Sequence, residues 1–558
     1  MSSNPHPDAS TFARPHWRWA CLTLALTLAW VTLTRLPLVL NARVHLDSDL
    51  AVDGLTLIDA LNGHWRWHYP ATPFIGSPPV LLSWVQAKVW GPTPMALVSG
   101  GVVAYGLVVV ATFLLNRRAF GPSVAAWGLV PLAFASTGLI WLSGRVTGGH
   151  LLAAAWHAGA FALLWDALTK GGWRRSATLG LWCGFGLYID SMVAVTWVGI
   201  GAASLAWFFS SPVRDGEGKT ERTGSRRVVR SIACLLAFGL ASGVGVAPRV
   251  IGKRVDPHDA YVGQFEPIVR ANHLGHNAWI LLLDCLPRLV AGHRLPGLQT
   301  EPDPAKLEGL ASVSQSKDVP WFVPWLGLAG LVTVVSLSLF GWAMLTLAFR
   351  EKTPDPARSA IRLGLRVSTL AVLVGFLIYP SISNSDHYRY LVFLLTPWST
   401  GFGLMITRII AKGRWGPWAS GALALGFALL MTVDAARWYA RLGWVDSAGL
   451  PVRKRVEEPV LNWLVANPKV STILGDYWDV YKLSFLTQGR VRAVPFPQYP
   501  DRFPEIGRGL PEALHPVVIL RPNQFASLYR KRALEAGGRE LLRVPGLSIV
   551  EWPKGMAP

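Results

Sequence analysis

Residues 41–84 read NARVHLDSDLAVDGLTLIDALNGHWRWHYPATPFIGSPPVLLSW. The apolar run before them has the length that crosses a bilayer, about 20 residues. Leu50, Leu55, Ile58 and Leu61 recur at helical spacing, and Asn62-Gly63 supplies a stop. The stretch therefore predicts an amphipathic helix that starts at Asp47 or Ser48, either of which is a good N-cap. Asp49 and Asp53 are four apart and share one face of that helix. HWRWHYP, which follows, has the aromatic and basic mixture of a segment lying in the membrane interface. Capping explains one aspartate. It does not explain three beside an aromatic-basic segment at the membrane surface. Such carboxylates suit two chemistries: a general base toward an acceptor hydroxyl, or an Asp47–Asp49 pair that holds a divalent ion.

The surrounding chain consists largely of apolar spans. Of its 558 residues 51% are hydrophobic and 15% charged, against about 25% charged in soluble domains. This excludes a disordered chain and an ordinary soluble enzyme. Runs near 18–40, 94–115, 123–142, 150–168, 176–190, 191–209, 231–251, 321–349, 360–379, 389–410 and 417–436 predict about eleven transmembrane helices. They form an all-α polytopic domain over 18–436, after an N-terminal tail over 1–17. The fifth and sixth runs are short and share Asp190 at their junction. The first run is too long for a signal-peptide core and reads as a retained span. The four cysteines lie in apolar segments without a CxxC, so neither a zinc ribbon nor a redox pair is signalled.

Lys and Arg outnumber Asp and Glu by 53 − 33 = 20, and the excess sits in short loops. With the N-terminus inside, Arg117 and Arg118 fall on the inner side, as do Lys170, Arg174 and Arg175. So do Arg214, Lys219, Arg222, Arg226, Arg227 and Arg230; Arg350, Lys352, Arg358 and Arg362; and Lys412 and Arg414. Five loops agree, which is the positive-inside pattern. It accounts for the net charge without nucleic acid as a partner. It also predicts a multi-pass protein of a bacterial-type inner or plasma membrane. The tail over 1–17 is then cytoplasmic, while loops 41–93 and 252–320 and the segment 437–558 are extracytoplasmic. In that last segment, β-rich runs at 470–474, 491–495 and 517–520 alternate with helical stretches such as 524–536, predicting a small α/β domain. Within 252–320, HNAWILLLDCLPRLVAG is too short to span and is interrupted by Pro287 and Arg288. It reads as an interfacial helix or as a packed re-entrant piece.

The same topology collects Asp47, Asp49, Arg145, His150, Asp190, His387 and Arg389 from distant loops at one membrane face. Ionisable groups at membrane depth are costly and face a cavity or one another. Arginine suits bidentate contact with a phosphate. The simpler alternatives are a snorkelling cation for Arg389, a polar loop residue for His387, and a helix bridge for Asp190. In GDYWDVYK, residues 475–482, packing is a simpler account of the aromatic side chains than stacking on a sugar. GxxxxGK is absent, as is GxGxxG after a strand, which disfavours a nucleotide-driven enzyme.

A first span followed by an acidic motif at the head of an amphipathic outer helix resembles the integral membrane glycosyltransferases of GT-C fold. These use polyprenyl-phosphate-linked sugars and include protein O-mannosyltransferases and lipid A aminoarabinose transferases. The resemblance implies that Asp47 or Asp49 is catalytic. Here Asp-Ser-Asp stands where the O-mannosyltransferases typically carry Asp-Glu. Residues 385–391, SDHYRYL, with Pro397 beyond, resemble the family's Arg-Tyr-Leu motif, in which an Arg meets the lipid phosphate. That implies substrate binding by Arg389, with His387 and Tyr388 beside it. Residues 143–150, SGRVTGGH, resemble the family's short second outer loop and add Arg145 and His150; Asp53 joins them from the face it shares with Asp49. The implied activity is inverting transfer of a sugar from a polyprenyl-phosphate donor to a glycan, lipid or protein acceptor. It would need no cofactor, or at most a divalent metal ion at Asp47 and Asp49. The alternative is a transporter or flippase of a lipid-linked or polar solute. Against it, no internal repeat is visible and the spans are mostly free of mid-membrane charge. A non-catalytic assembly protein would need no such cluster of charges.

Overall fold

The computed structural model describes residues 13–210, 224–260, 271–295, 327–349, 355–379, 382, 385–442, 458–505, 513, 515–520, 524–544 and 547–555. Among these, nine helices are long and apolar enough to cross a membrane: Arg18–Leu40, Pro94–Ala119, His150–Lys170, Ser191–Ser210, Ser231–Val255, Leu328–Ala348, Pro356–Ile378, His387–Ile410 and Gly416–Arg441. The protein is a multi-pass membrane protein. Parts of the tail 1–17, of loop 252–320 and of the basic loop near 214–222 lie outside the described residues.

Two of the eleven expected spans differ from the rest. The run 123–142 is not one helix but three: Pro122–Gly128, Val130–Ala133 and Thr137–Leu142. Pro131 removes a backbone donor from the middle of the run. Ser136 caps the last piece, its hydroxyl accepting from the Leu139 N–H at 3.1 Å. The broken segment still runs the height of the neighbouring helix Pro94–Ala119. Its Gly128 lies beside Asn116 and its continuation at Gly144 and Arg145 beside Gly101. Backbone freed inside a membrane domain must find partners within the protein, and here it does. Tyr105 donates to the Leu132 carbonyl at 2.8 Å and Tyr388 to that of Gly138 at 2.8 Å. The second case is Trp173–Ile189, whose 17 residues are at the lower limit for a span. It ends at Asp190, whose carboxylate accepts from the Met192 N–H at 2.8 Å and starts the next helix. Gly180 and Gly184 let it approach helix Gly224–Val255, since a Cβ at either would meet the carbonyl of Phe238 or Ser242.

The segment with HNAWILLLDCLPRLVAG forms helix Ala271–Ile280, a wider turn over Leu281–Cys285, and helix Leu286–Ala291. Leu281, Cys285 and Leu289 face the protein, whereas Trp279 and Leu282 are exposed. Asn277 fastens it by donating to the carbonyls of Leu377 and Tyr379, both at 2.8 Å.

Two small sheets complete the fold. In the first loop, β1 (His68–Tyr69) and β2 (Thr72–Gly76) form an antiparallel hairpin. The C-terminal sheet contains β3 (Thr472–Gly475), β4 (Arg492–Pro495), β5 (Val517–Leu520), β6 (Glu540–Val544) and β7 (Leu547–Glu551), in the order β4-β3-β5-β7-β6. The three expected β runs became β3, β4 and β5, which pair in parallel. The link from β3 to β4 is helix Tyr477–Leu486, as parallel strands require a crossover. This helix packs on helix Ser48–Leu61 of the first loop. Phe485 occupies the space over Gly54, where a Cβ would come within 2.5 Å of its ring. Ser48 donates its hydroxyl to the Tyr477 carbonyl at 2.5 Å. The sheet region is therefore docked on the acidic end of the first loop.

Candidate active site

Asp47 is the N-cap of helix Ser48–Leu61, as expected. Its Oδ1 accepts from the Leu50 N–H at 2.8 Å, and its Oδ2 pairs with Arg145. Both carboxylate oxygens are thus engaged. Asp49 lies in the first turn, where the helix dipole favours a negative charge. The Tyr477 hydroxyl donates to Asp49 Oδ1 at 2.5 Å, and Arg502 Nη2 stands 3.7 Å from the same oxygen. Arg502 is itself buried and held. Its Nε donates to the Tyr477 hydroxyl at 3.1 Å, its Nη1 donates to Thr72 Oγ1 at 2.6 Å, and its guanidinium lies 5.0 Å over the Tyr69 ring. Tyr69 closes the group by donating to the Asp49 backbone carbonyl at 3.0 Å.

These surroundings separate the two aspartates. For Asp49, burial alone would raise the pKa. The Arg502 charge, the Tyr477 hydrogen bond and the charges of Arg145 and Arg389 outweigh burial and hold the carboxyl below its ordinary value. For Asp47, burial is the strongest influence and pushes the pKa up. Arg145 opposes the rise, and the neighbouring Asp49 charge adds to it. Two adjacent carboxyls driven apart in this way are the usual mark of a division of labour.

Arg389 sits on the 3₁₀ segment Ser385–Leu394, 5.4 Å from the Tyr390 ring centre, and its charge reaches Asp49. Tyr390 is the hub of an adjoining group, with His150 and His387 each 5.3 Å from its ring centre. Buried His150 places Nδ1 2.8 Å from Asp190 Oδ2. Asp53 is buried one turn along from Asp49. Tyr388 faces the broken segment. It is buried, its hydroxyl is spent on Gly138 of the broken segment, and Arg288 lies 4.9 Å over its ring. Those are packing contacts. The residues that sequence reasoning missed are Arg502, Tyr69 and Thr72. Tyr477, for which the sequence offers packing as the simpler role, lies in the 475–482 motif that is the available signal.

A divalent ion needs several donor side chains around one point. Among the described residues no group of three or more His, Cys, Asp or Glu gathers. Arg145 and Arg502 already face the two carboxylates most suited to it.

Neither a protein-family model nor a curated protein matches the sequence. Solved structures do match. ArnT from Cupriavidus metallidurans, solved bound to undecaprenyl phosphate, superposes with a TM-score of 0.56 at 12% identity, over 97% of this chain and 99% of that one. The archaeal oligosaccharyltransferase AglB from Archaeoglobus fulgidus, solved with an inhibitory peptide and a dolichol-phosphate, superposes with a TM-score of 0.50 at 12% identity, over 96% of this chain and 74% of that one. This chain has the GT-C fold. The expectation drawn from the acidic first loop and the late Arg-Tyr-Leu motif is borne out at that level. With 97% of the chain covered, the likeness to ArnT includes the C-terminal sheet as well as the spans. Within this GT-C architecture the acidic first-loop helix, the 143–150 loop, the 385–394 segment and the C-terminal sheet region meet at one end of the bundle.

Proposed function

We propose that this protein is an inverting glycosyltransferase. It moves a sugar from a polyprenyl-phosphate donor to a hydroxyl of a cell-surface glycan, lipid or protein. The observation that carries this reading is Asp49: a first-loop carboxylate surrounded by arginines from three separate segments, Arg145, Arg389 and Arg502. Tyr477 and Arg502 both meet Oδ1, so Oδ2 is the oxygen that takes the proton of the acceptor hydroxyl. As that proton moves, the hydroxyl oxygen bonds to the anomeric carbon and the bond from that carbon to the phosphate breaks. An in-line displacement inverts the anomeric centre. The departing phosphate gains negative charge, and Arg389, with its planar fork, stabilises it more in the transition state than in the ground state. The arginines on both aspartates supply the charge compensation a metal ion would bring, and the reading is of a metal-independent reaction. That ArnT and AglB were both solved with a polyprenyl-type phosphate supports the donor class. The charge bias of the loops supports placing the site on the extracytoplasmic face.

A transporter would use its broken helix to line a path. Here the backbone at the break is hydrogen-bonded to Tyr105 and Tyr388 inside the bundle, which favours the enzyme. The test is incubation of purified protein with a panel of polyprenyl-phosphate sugars and simple glycan, lipid and peptide acceptors. The anomeric configuration of any product is read by NMR. Glycans and lipids of a gene-deletion strain are profiled in parallel by mass spectrometry. Transfer with inversion is expected. Retention of configuration would overturn the direct displacement. No donor consumed, together with unchanged glycans and lipids in the deletion strain, would overturn the enzyme.

A further inference from the structure

We propose that the C-terminal sheet region is a working part of the active site, supplying Arg502 and Tyr477 as positioning residues that fix the orientation and charge of the Asp49 carboxylate. The inference rests on the reading of Asp49 as the base, and it adds a role for a region otherwise accounted for by folding alone.

A sheet region could dock on a membrane bundle through apolar contacts, and this one does so through Phe485 over Gly54. Nothing in that packing calls for a buried cation. Yet Arg502 is 6% exposed, and its side chain is held from three directions: Tyr477, Thr72 and the Tyr69 ring. Burying a guanidinium is costly unless it meets an opposite charge, and the carboxylate it meets is Asp49, from the other end of the chain. Tyr477 acts in the same direction. Its hydroxyl accepts from Arg502 and passes its own proton toward Asp49 Oδ1, so the two carboxylate oxygens become inequivalent. One is pinned to the C-terminal region and the other is left to the acceptor. Helix Tyr477–Leu486 starts at an Asp476 cap whose Oδ1 accepts from the Trp478 N–H at 2.9 Å. Its Oδ2 accepts from the Tyr499 hydroxyl at 2.9 Å, which braces the turn that presents Tyr477. The loop carrying Arg502 is tied in turn. Tyr481 donates its hydroxyl to Asp501 at 3.0 Å and accepts from the Arg502 N–H at 2.8 Å. Two helix faces and a loop thus converge on one carboxylate.

The charged and titratable groups around Asp49 are Asp47 and Asp53 on its own helix, Arg145 and Arg389 from the membrane domain, Tyr69 from the β1–β2 hairpin, and Tyr477 and Arg502 from the C-terminal region. Arg502 opposes burial at Asp49 more strongly than Tyr477, Arg145 or Arg389 does. Removing it raises the Asp49 pKa and takes away the charge that holds Oδ1 in place.

The test does not require the natural substrate. Carboxyls react with a water-soluble carbodiimide when protonated. The full-length protein in detergent is labelled across a pH series, and the Asp49 peptide is quantified by mass spectrometry. Arg502→Gln and Tyr477→Phe are each expected to move the labelling midpoint of Asp49 up by about one pH unit or more, the scale for losing a close opposite charge or a hydrogen bond to the anion. Arg502→Lys, which keeps a charge, is expected to move it less than Arg502→Gln. The comparison variant is Arg66→Gln. Arg66 pairs with Asp59 of its own loop at 2.9 Å and reaches across to Glu505 of the C-terminal region at 3.4 Å. It loosens docking without touching Asp49 and should leave the midpoint in place. An unmoved midpoint in Arg502→Gln and Tyr477→Phe overturns the proposal, as does an equal shift in Arg66→Gln, which would reduce the region to a docking role. Failure of the reading of Asp49 as the base shows separately, as Asp49→Asn protein with full transferase activity.

Discussion

Asp49→Asn is the substitution that most directly separates the roles of the two first-loop aspartates. The amide has the same shape as the carboxylate, and its Oδ1 still accepts from the Tyr477 hydroxyl, 2.5 Å away in the native protein. What is lost is the oxygen that takes a proton. A general base contributes about 100-fold or more, so turnover should fall by at least that factor, about 2.7 kcal/mol of barrier. Stability should fall as well. Arg502 loses its counter-charge at 3.7 Å but keeps Tyr477, Thr72 and the Tyr69 ring. The expected cost is about 1.5–3 kcal/mol, the range for a hydrogen bond to a charged group. Asp47→Asn is the control. Asparagine is as good an N-cap as aspartate, so the bond from Leu50 survives while the Arg145 ion pair is lost. Its activity should fall by about tenfold or less, well short of a lost base. The assay is single-turnover transfer from a polyprenyl-phosphate sugar, run beside a thermal melt, with and without EDTA. Asp47→Asn losing 100-fold while Asp49→Asn stays near wild type would refute the assignment. Activity lost in EDTA and restored by Mg²⁺ would refute the metal-independent reading.

Arg389→Lys keeps the charge but not the fork. Donor affinity should weaken by about 1.5–3 kcal/mol, measured by binding of a polyprenyl-phosphate sugar analogue; equal affinities would make Arg389 a snorkelling cation. Because Asp49 is held below the ordinary carboxylate value of 3.8, the acid limb of kcat/KM should lie below that pH, with activity kept until the pH falls through the folded-state value. The same sign applies to stability: Asp49 contributes above its unfolded pKa and withdraws as the pH falls through its lower folded pKa, so a limb near neutrality would contradict the geometry. Gly54→Ala places a methyl 2.5 Å from the Phe485 ring and should destabilise docking by about 1–3 kcal/mol, seen as faster proteolysis of the C-terminal region; an unchanged cleavage rate would deny that contact its role. A reporter fused to the C-terminus should work only outside the cytoplasm, and cytoplasmic activity would reverse the proposed orientation.

The sequence by itself determined the membrane class, the positions of most spans, the start of the first-loop helix at Asp47 or Ser48 and three of the five strands of the C-terminal sheet. Each of these is set by residues close together in the chain: twenty apolar residues, an Asp before a helical stripe, a β-rich run between turns. It also named Asp47, Asp49, Arg145 and Arg389, because ionisable residues at the ends of apolar runs stand out against their surroundings. Sequence alone did not show the break at 122–142. There apolar composition looks the same whether the helix continues or not, and the deciding partners, Tyr105 and Tyr388, come from other spans. Nor did it show Tyr388 turned inward, since the backbone path of the 385–394 segment chooses between neighbouring side chains. Above all it could not distinguish Asp47 from Asp49. Their difference is made by Arg145 on one and by Arg502 and Tyr477 on the other, and Tyr477 lies 428 residues from the carboxylate it touches. Charge interactions depend on distance in space and on burial, and only the docking of the C-terminal region on the first loop brings those groups within reach.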